Sequence, residues 1–569
     1  MSTTAGRGLR STVLFLVIGL LVLPILAGLW ETGRAAFGIL PAIGAETFSL
    51  APWRRLLTLP GFATSVKLTL WTGLGSSFLA LLLATGFCAM IHGGAGQRHV
   101  SRVLGPFLSA PHAALAIGLA FLIAPSGWIA RMISPWATGW VLPPDLGTVN
   151  DPMGLALILG LLVKEVPFFL LVMLAAIARL PVTAQLAAGR ALGYGRGVVW
   201  IKVILPQVYP LIRLPVFVVL SFALSVVDMA IILGPSNPPV LSVAVTRWYF
   251  AADTTLILPA SAAALAQAGL VIFGILLWVA TERVTIWISR RWIRRGGRGY
   301  SAGPGLIVAS GATMVLLCLG TLALIGLLIW SFTWRWPFPS ALPETWSINI
   351  WTRPGSGWGG AFIQTALIGL STTLIAVSLA IAWLEGEDRA GMRRARWAEA
   401  LIYLPLLVPQ IAFLYGLNVV FLRVGLTGGI AAVIWAQALF VFPYVMIALS
   451  DPWRALDRRL LRASAALGAG PLRRLVAVKL PILLRPLLTA AAIGFAVSVA
   501  QYLPTLFMGA GRIATLTTEA VTLSSGSDRR MTGVYAVLQA VLPLGAYVAA
   551  IFLPALIHRN RRGLWGGEA

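Results

Sequence analysis

Twelve stretches of the chain run for about 20 residues or more with few charges, at 12–30, 64–91, 104–126, 153–178, 208–233, 259–281, 305–330, 361–384, 398–422, 429–450, 483–508 and 535–557. An α-helix needs about 20 apolar residues to cross the roughly 30 Å of hydrocarbon in a bilayer. No water is available there, so every backbone N–H and C=O must be satisfied within the segment, which a helix does. The pattern predicts an all-α, polytopic membrane protein with about 12 transmembrane helices, and the even number puts both termini on one side. Composition agrees: 59% of residues are hydrophobic and 11% charged, against roughly 45–50% and about 25% in soluble domains.

The formal net charge of +25 would suggest a nucleic-acid ligand in a soluble chain. Here the basic residues gather between spans on one side, as Arg290, Arg291, Arg294, Arg295 and Arg298, and as Arg454, Arg458, Arg459, Arg462, Arg473 and Arg474. Lys and Arg concentrate in cytoplasmic loops, so this distribution predicts that both termini are cytoplasmic. The lipid bilayer and its anionic headgroups are then the default partner of the charge, and no nucleic acid is implied. Cys88 and Cys318 both fall within spans and imply no disulfide framework. Arg7 and Arg10 precede the first span as they would a secretory signal, but its apolar core from Val13 to Leu29 is long for one. It reads as a retained helix.

The chain is also duplicated. AAGRALGYGRGVVWIKVILP (187–206) and RASAALGAGPLRRLVAVKLP (462–481) are copies of one pattern. PHAALAIGL (Pro111 to Leu119) matches PQIAFLYGL (Pro409 to Leu417), and Val166-Pro167-Phe168 matches Phe442-Pro443-Tyr444. SFALSVVD (Ser221 to Asp228) matches GFAVSVAQ (Gly494 to Gln501). Two tandem six-helix repeats follow, at 1–286 and 305–569, in the same orientation because six is even. Parallel repeats generate a pseudo-two-fold axis along the membrane normal, with a substrate path along it. The link between them, WISRRWIRRGGRGYSAGP (287–304), is basic and then Gly-rich, and reads as a flexible tether.

Each copy of the repeated stretch opens with helix formers and small residues, which leave one helix face smooth. Gly193 or Gly468 then permits a left-handed backbone and a sharp reversal. An amphipathic segment follows, and Pro206 or Pro481 is expected to end it before the next span. The product is a short helix, a turn and a second short helix under the membrane, suited to lying in a groove of a cytoplasmic partner.

These stretches resemble the EAA loop of the membrane subunits of binding-protein-dependent ABC importers: Glu-Ala-Ala, three residues, Gly, nine residues, Ile-x-Leu-Pro. Gly193, Leu205 and Pro206 match it, as do Gly468, Leu480 and Pro481. The chain is most similar to the fused double permeases of the ferric-iron and thiamine type, and so to a type I importer fold. It departs where the leading Glu is Ala187 in one copy and Arg462 in the other, and where Ile is replaced by Val203 and Val478. The resemblance implies a permease of the bacterial inner membrane, whose two loops couple to two copies of a separate ATPase subunit. A soluble extracytoplasmic binding protein would deliver the substrate. It implies no catalysis and no cofactor on this chain, with ATP and Mg used by the partner. Consistent with that, no G-x-x-x-x-G-K-[ST] phosphate loop occurs, and none of the four lysines, Lys67, Lys164, Lys202 and Lys479, follows a Gly.

Polar groups inside spans are costly and usually face a bundle interior or a water-filled path. Lys164, Glu165 and Asp228 lie at membrane depth, and in the repeat alignment Asp228 corresponds to Gln501 and His112 to Gln410. These six are the candidate path residues, with interhelical hydrogen bonding as the alternative role. Lys164 and Glu165 point about 100° apart on a helix, so each needs another partner. No second His or Cys stands at metal-ligand spacing from His112, so no metal is expected. Trp30, Trp53, Trp248, Trp334 and Trp351 flank spans as interfacial anchors. A twelve-helix secondary transporter driven by an ion gradient is the alternative reading of a six-plus-six repeat with midplane carboxylates, but it leaves the repeated helix-Gly-helix segment unexplained. The absence of H-E-x-x-H and G-x-S-x-G motifs argues against a membrane-embedded enzyme.

Overall fold

A computed structural model describes residues 3–93, 109–296, 302–353, 355, 357–391, 396–526 and 528–559. The start of the expected third span (104–108), Arg298 and the centre of the link lie outside the described residues. In the first half, α1 (Arg10–Ala36), α2 (Phe62–Ile91), α3 (His112–Ile123), α4 (Leu155–Ile177), α5 (Val182–Ala191), α6 (Arg196–Ser225), α7 (Asp228–Leu233), α8 (Leu241–Tyr249) and α9 (Ile257–Arg294) follow one another. The second half supplies α10 (Gly303–Ser331), α11 (Trp358–Ala390), α12 (Arg396–Leu407), α13 (Gln410–Arg423), α14 (Ile430–Arg454) and α15 (Arg458–Ala466). It continues through α16 (Pro471–Ile482), α17 (Leu484–Ala500), α18 (Leu503–Gly509), α19 (Leu516–Ser524) and α20 (Arg529–Ile557). Among the described residues, ten helices, counting α3 on to Ile133, are long and apolar enough to cross a membrane, and two bent pairs raise the number to 12. The all-α polytopic expectation holds.

Four expected spans are not continuous among the described residues; the run 104–126 breaks at Ala110 and Pro111, the latter with extended backbone, before α3. The run 398–422 bends by 102° between α12 and α13, where Pro409 offers no N–H and pushes Val408 out of the helical region. The run 483–508 bends by 78° at Leu483; Pro486, three residues on, cannot donate to the carbonyl of Leu483's neighbour Ile482, and its ring crowds that oxygen. It breaks again before α18, and the run 208–233 breaks at Val226, whose backbone is extended. A break at membrane depth strands carbonyls unless side chains reach them. Gln267 on α9 donates to Leu224 O at 2.8 Å and Ser242 Oγ to Val226 O at 2.6 Å. In the second half Thr517 Oγ1 donates to Val499 O and is itself met by Gln539 Nε2 at 2.6 Å. The neighbouring helices are seated alike: Leu241 N donates to Thr69 Oγ1 and Leu516 N to Thr365 Oγ1, both at 2.9 Å.

The first span of each half packs against the other half. α1 lies against α11 and α13, and α10 against α2 and α3. Small residues let these backbones touch. A Cβ on Gly416 of α13 would stand 2.0 Å from Gly28 O of α1, and one on Gly118 of α3 would stand 2.6 Å from Ala323 O of α10. Gly118 and Gly416 are equivalent in the repeat, so the exchange is reciprocal. Beyond the first crossing, Arg423 pairs with Glu31 through Nη2–Oε2 at 2.8 Å and Nη1–Oε1 at 2.9 Å, and Arg34 reaches the same carboxylate at 3.2 Å. The outer faces carry exposed apolar side chains such as Ile272, Leu276, Leu370, Leu374 and Phe552, as a lipid-facing surface must.

The 38 residues of α9 span about 57 Å at 1.5 Å per residue, nearly twice the hydrocarbon thickness. Trp287 to Arg294 continue this helix, which ends before Gly296 at φ 65°. Residues 287–294 of the link are therefore helical and not a loose tether, because no Gly or Pro interrupts the helix before Gly296.

Candidate functional site

The two repeated stretches fold alike. α5 ends at Ala191 and α15 at Ala466, and the next-but-one residue in each, Gly193 (φ 79°) and Gly468 (φ 81°), is left-handed. Gly193 N donates to Arg190 O and Tyr194 N to Gly189 O, both at 2.9 Å. Gly468 N donates to Ala465 O and Ala469 N to Ser464 O, both at 3.0 Å. This pair of bonds is the Schellman motif, which satisfies helix-end carbonyls and reverses the chain at a glycine. The residue before each glycine is a leucine held out in solvent, Leu192 at 65% and Leu467 at 88% exposure. Ala187 and Arg462 are exposed on the preceding helices, Ala187 beside Ala184, Ala188 and Ala191. The smooth, small-residue face expected of these helices is open in the first copy; in the second, Arg459 and Arg462 stand exposed with Ala463 and Ala466 at the equivalent positions. Arg179 and Asp451 meet at 2.9 Å just before the two stretches, which places both at one end of the bundle.

The second segment of each copy differs from expectation. Pro206 and Pro481 do not end it. A π-helical turn spans Trp200–Ile204 in one copy and Leu475–Lys479 in the other, and Leu205 N and Leu480 N bond back five residues, to Trp200 O and Leu475 O. A proline in an α-helix clashes with the carbonyl four residues back and leaves it unbonded; the wider turn just before each proline absorbs that misfit. Leu205 and Pro206 thus lie inside one helix running from Arg196 to Ser225, while Leu480 and Pro481 sit one turn before the 78° bend.

The first copy also touches the ends of the link. Lys202 Nζ lies 4.2 Å from the Trp292 ring, and a Cβ on Gly197 would meet Ala302 at 2.5 Å.

The candidate path residues form two groups. In the first half, Lys164 donates to Ala110 O at 2.6 Å and lies within electrostatic reach of Glu165, Asp228 and His112. Lys164 thus finds partners besides Glu165. Asp228 opens α7, with its carboxylate near the backbone N–H groups of Asp228 and Met229. The His112 ring packs on Phe222 at 4.5 Å. In the second half, Gln410 Nε2 donates to Gln501 Oε1 at 3.3 Å. Tyr444 comes within reach of Glu165, and Tyr502 within reach of Asp228, so second-half groups face the first-half carboxylates. A buried network beside Gln501 escaped the sequence reading: Gln437 Nε2 donates to Thr505 Oγ1 at 3.0 Å, and Ser498 Oγ donates to Gln437 Oε1. Uncharged Gln, Ser and Thr inside apolar runs carry no signal that separates a path from ordinary helix contacts.

Comparison with known proteins gives concordant matches. Residues 379–561, from the end of α11 through α20, match the model of the binding-protein-dependent transport system inner membrane component. Over 524 residues, 91% of this chain and 94% of the relative, the sequence is 31% identical to the inner membrane ABC transporter permease protein YnjC of Escherichia coli. A Salmonella choleraesuis permease named for 2-aminoethylphosphonate transport, PhnV, is 23% identical over 261 residues, 45% of this chain and 94% of that protein. The putrescine transport system permease protein PotI of Escherichia coli is 25% identical over 170 residues, 26% of this chain and 60% of that protein. A relative that aligns over nearly its whole length with less than half of this chain is what a duplicated permease gives.

Proposed function

Because the chain belongs to the family of inner membrane permease subunits of binding-protein-dependent ABC transporters, we propose that its two helix-Gly-helix segments are the docking sites for two copies of an ATPase subunit. The chain is a fused double permease of an ATP-driven importer and a non-catalytic membrane subunit; what is inferred is where the energy enters. The observation that carries the reading is the matched geometry at 187–206 and 462–481: identical Schellman turns at Gly193 and Gly468, open helix faces before them, and the exposed Leu192 and Leu467 at their tips. Ala187 and Arg462 stand where the motif has Glu, so recognition rests on shape and apolar contact. Leu205, Pro206, Leu480 and Pro481, with the π turns before them, join each docking helix to a span. ATP and Mg are used by the partner, and closure of the two ATPases moves the two halves.

A soluble extracytoplasmic binding protein delivers substrate to the opposite face, and both termini lie in the cytoplasm with the docking segments, in line with the basic clusters on that side. The path runs between the halves past His112, Lys164, Glu165, Asp228, Gln410 and Gln501. Repeats 1–286 and 305–569, joined through 287–304, are the two rocking units. Putrescine and 2-aminoethylphosphonate, for which two relatives are named, both carry a primary ammonium, and Glu165 and Asp228 on the path suit a substrate with such a group.

The test is co-purification. Replacing Gly193 and Gly468 together by Arg forces a side chain onto left-handed backbone, at about 1–2 kcal/mol each, and puts bulk and charge at the turn. The ATPase is expected to be lost from the doubly substituted, still-folded permease. Retention of a full ATPase complement contradicts docking at these turns.

A further inference from the structure

At the end of the bundle that carries the repeated stretches, α11 closes with Glu385, Glu387 and Asp388, and Glu385 and Glu387 are buried. Their partners from outside α11 come from the second repeated stretch and the helix leading into it. Lys479, the last residue of the π turn and only 4% exposed, donates to Glu385 Oε2 at 2.6 Å and to Asp388 Oδ2 at 2.5 Å. Trp453 Nε1 donates to the same Asp388 oxygen at 3.0 Å, and its ring lies 5.1 Å from the Lys479 ammonium. Arg454 Nη2 and Trp383 Nε1 donate to Glu387 at 2.9 and 3.0 Å, and Arg389 Nε donates to Glu385 at 2.7 Å. Each carboxylate thus meets a cation, as buried charges require.

The first half grips the same place by other means. Thr69 and Thr365 fix the register of α2 against α11, since each accepts the first N–H of an equivalent helix. Counting on from them, Ala89 corresponds to Glu385 and His92 to Asp388. The backbone oxygens of Ala89 and His92 are the two acceptors of Arg196, at the start of the second segment of the first repeated stretch. Two positions on the second span of each half are therefore held by a cation from that half's repeated stretch. Helix-end carbonyls do the accepting in one half and side-chain carboxylates in the other. The spans so held, α2 and α11, are also those against which the exchanged first spans α10 and α1 pack.

We propose that these contacts are the transmission joints of the permease. Movement of a docking segment is passed to the second span of its own half, and through that span to the exchanged helix of the other. Lys479, Glu385 and Asp388 are positioning residues, and the second joint depends on their charge. The inference rests on the docking reading above. Lengthening or neutralising the joint leaves docking intact and lets the segment move without its span.

The experiment uses the full transporter with its ATPase in proteoliposomes, reading ATPase subunits retained per permease and substrate imported per ATP hydrolysed. Lys479→Met is expected to keep its ATPase and to lower import per ATP at least five-fold, while Lys479→Arg stays within two-fold of the unsubstituted protein. Asp388→Asn leaves Glu385 against Lys479, and serves if Lys479→Met fails to fold; an intermediate loss is expected. Unchanged import per ATP in either neutralised variant overturns the proposal. Loss of the ATPase from a folded Lys479→Met permease overturns it too, since Lys479 would then act in docking. If the unsubstituted permease retains no ATPase, the docking reading itself falls.

Discussion

Replacing Gly416 by Val tests the reciprocal exchange of first spans at its tightest point. The new Cβ would stand 2.0 Å from Gly28 O, 2.7 Å from Thr32 N and 2.8 Å from Thr32 Oγ1. The nearest obstacle is backbone and cannot swing aside. Normal contact requires α1 and α13 to part by roughly 1 Å at the crossing, which forfeits a sizeable share of the dispersion energy of the atoms around it. Overpacking of this kind costs about 1–3 kcal/mol. The few tenths of a kcal/mol by which Val exceeds Gly in helix propensity recover little of it. The parting also strains the two short contacts between Arg423 and Glu31, two turns along. A net loss of about 3 kcal/mol is expected, roughly a hundred-fold in the folding equilibrium. Denaturant unfolding of the detergent-purified protein measures it, with Gly75→Val on α2 as control, since a Cβ there meets nothing within 4 Å. Equal stability of the two variants would refute the close crossing.

Burial first, and the Arg196 charge second, hold the pKa of His92 below its usual value of 6.5. Both ring nitrogens are buried without a hydrogen-bond partner among the described residues. The neutral form is thus favoured in the fold, so its contribution to stability is present above pH 6.5 and lost as pH falls below it; a His92→Gln variant should show a shallower loss of melting temperature between pH 7 and pH 5. Glu31→Gln removes the carboxylate shared by Arg423 and Arg34, and should destabilise by on the order of 2 kcal/mol in the same denaturant assay. Gln267→Leu leaves Leu224 O without its donor at a break in the span, and a loss of about 1–3 kcal/mol is expected, with faster amide exchange around Ser225–Asp228.

The class of fold and the duplication were legible because both rest on strong, repeated signals: apolar length, and matched strings such as those ending at Pro206 and Pro481. The turns at Gly193 and Gly468 were legible for a similar reason, since only glycine sits easily at φ near 80°. The effect of the prolines was not. A proline marks a helix end by local sterics, yet with a π turn upstream the helix runs on past Pro206 to Ser225 and past Pro481 to Ile482, and no residue pattern announces it. The breaks at Val226 and after Ala500 were hidden because the partners that stabilise them, Gln267 for Leu224 O and Thr517 for Val499 O, come from helices farther along the chain. Lys479 looked like one more basic loop residue until the fold placed it between Glu385 and Asp388. Its equivalence to Arg196 in role involves different sequence positions in the two copies, which no alignment of the repeats would pair.

The central claim is that this one chain offers two docking sites, and the most direct measurement is the mass of the complex purified with its ATPase, by native mass spectrometry. One permease with two ATPase subunits is predicted, falling to one when Gly468 alone is replaced by Arg. A complex with a single ATPase before any substitution, or two subunits still bound after both Gly193 and Gly468 are replaced, would contradict the account.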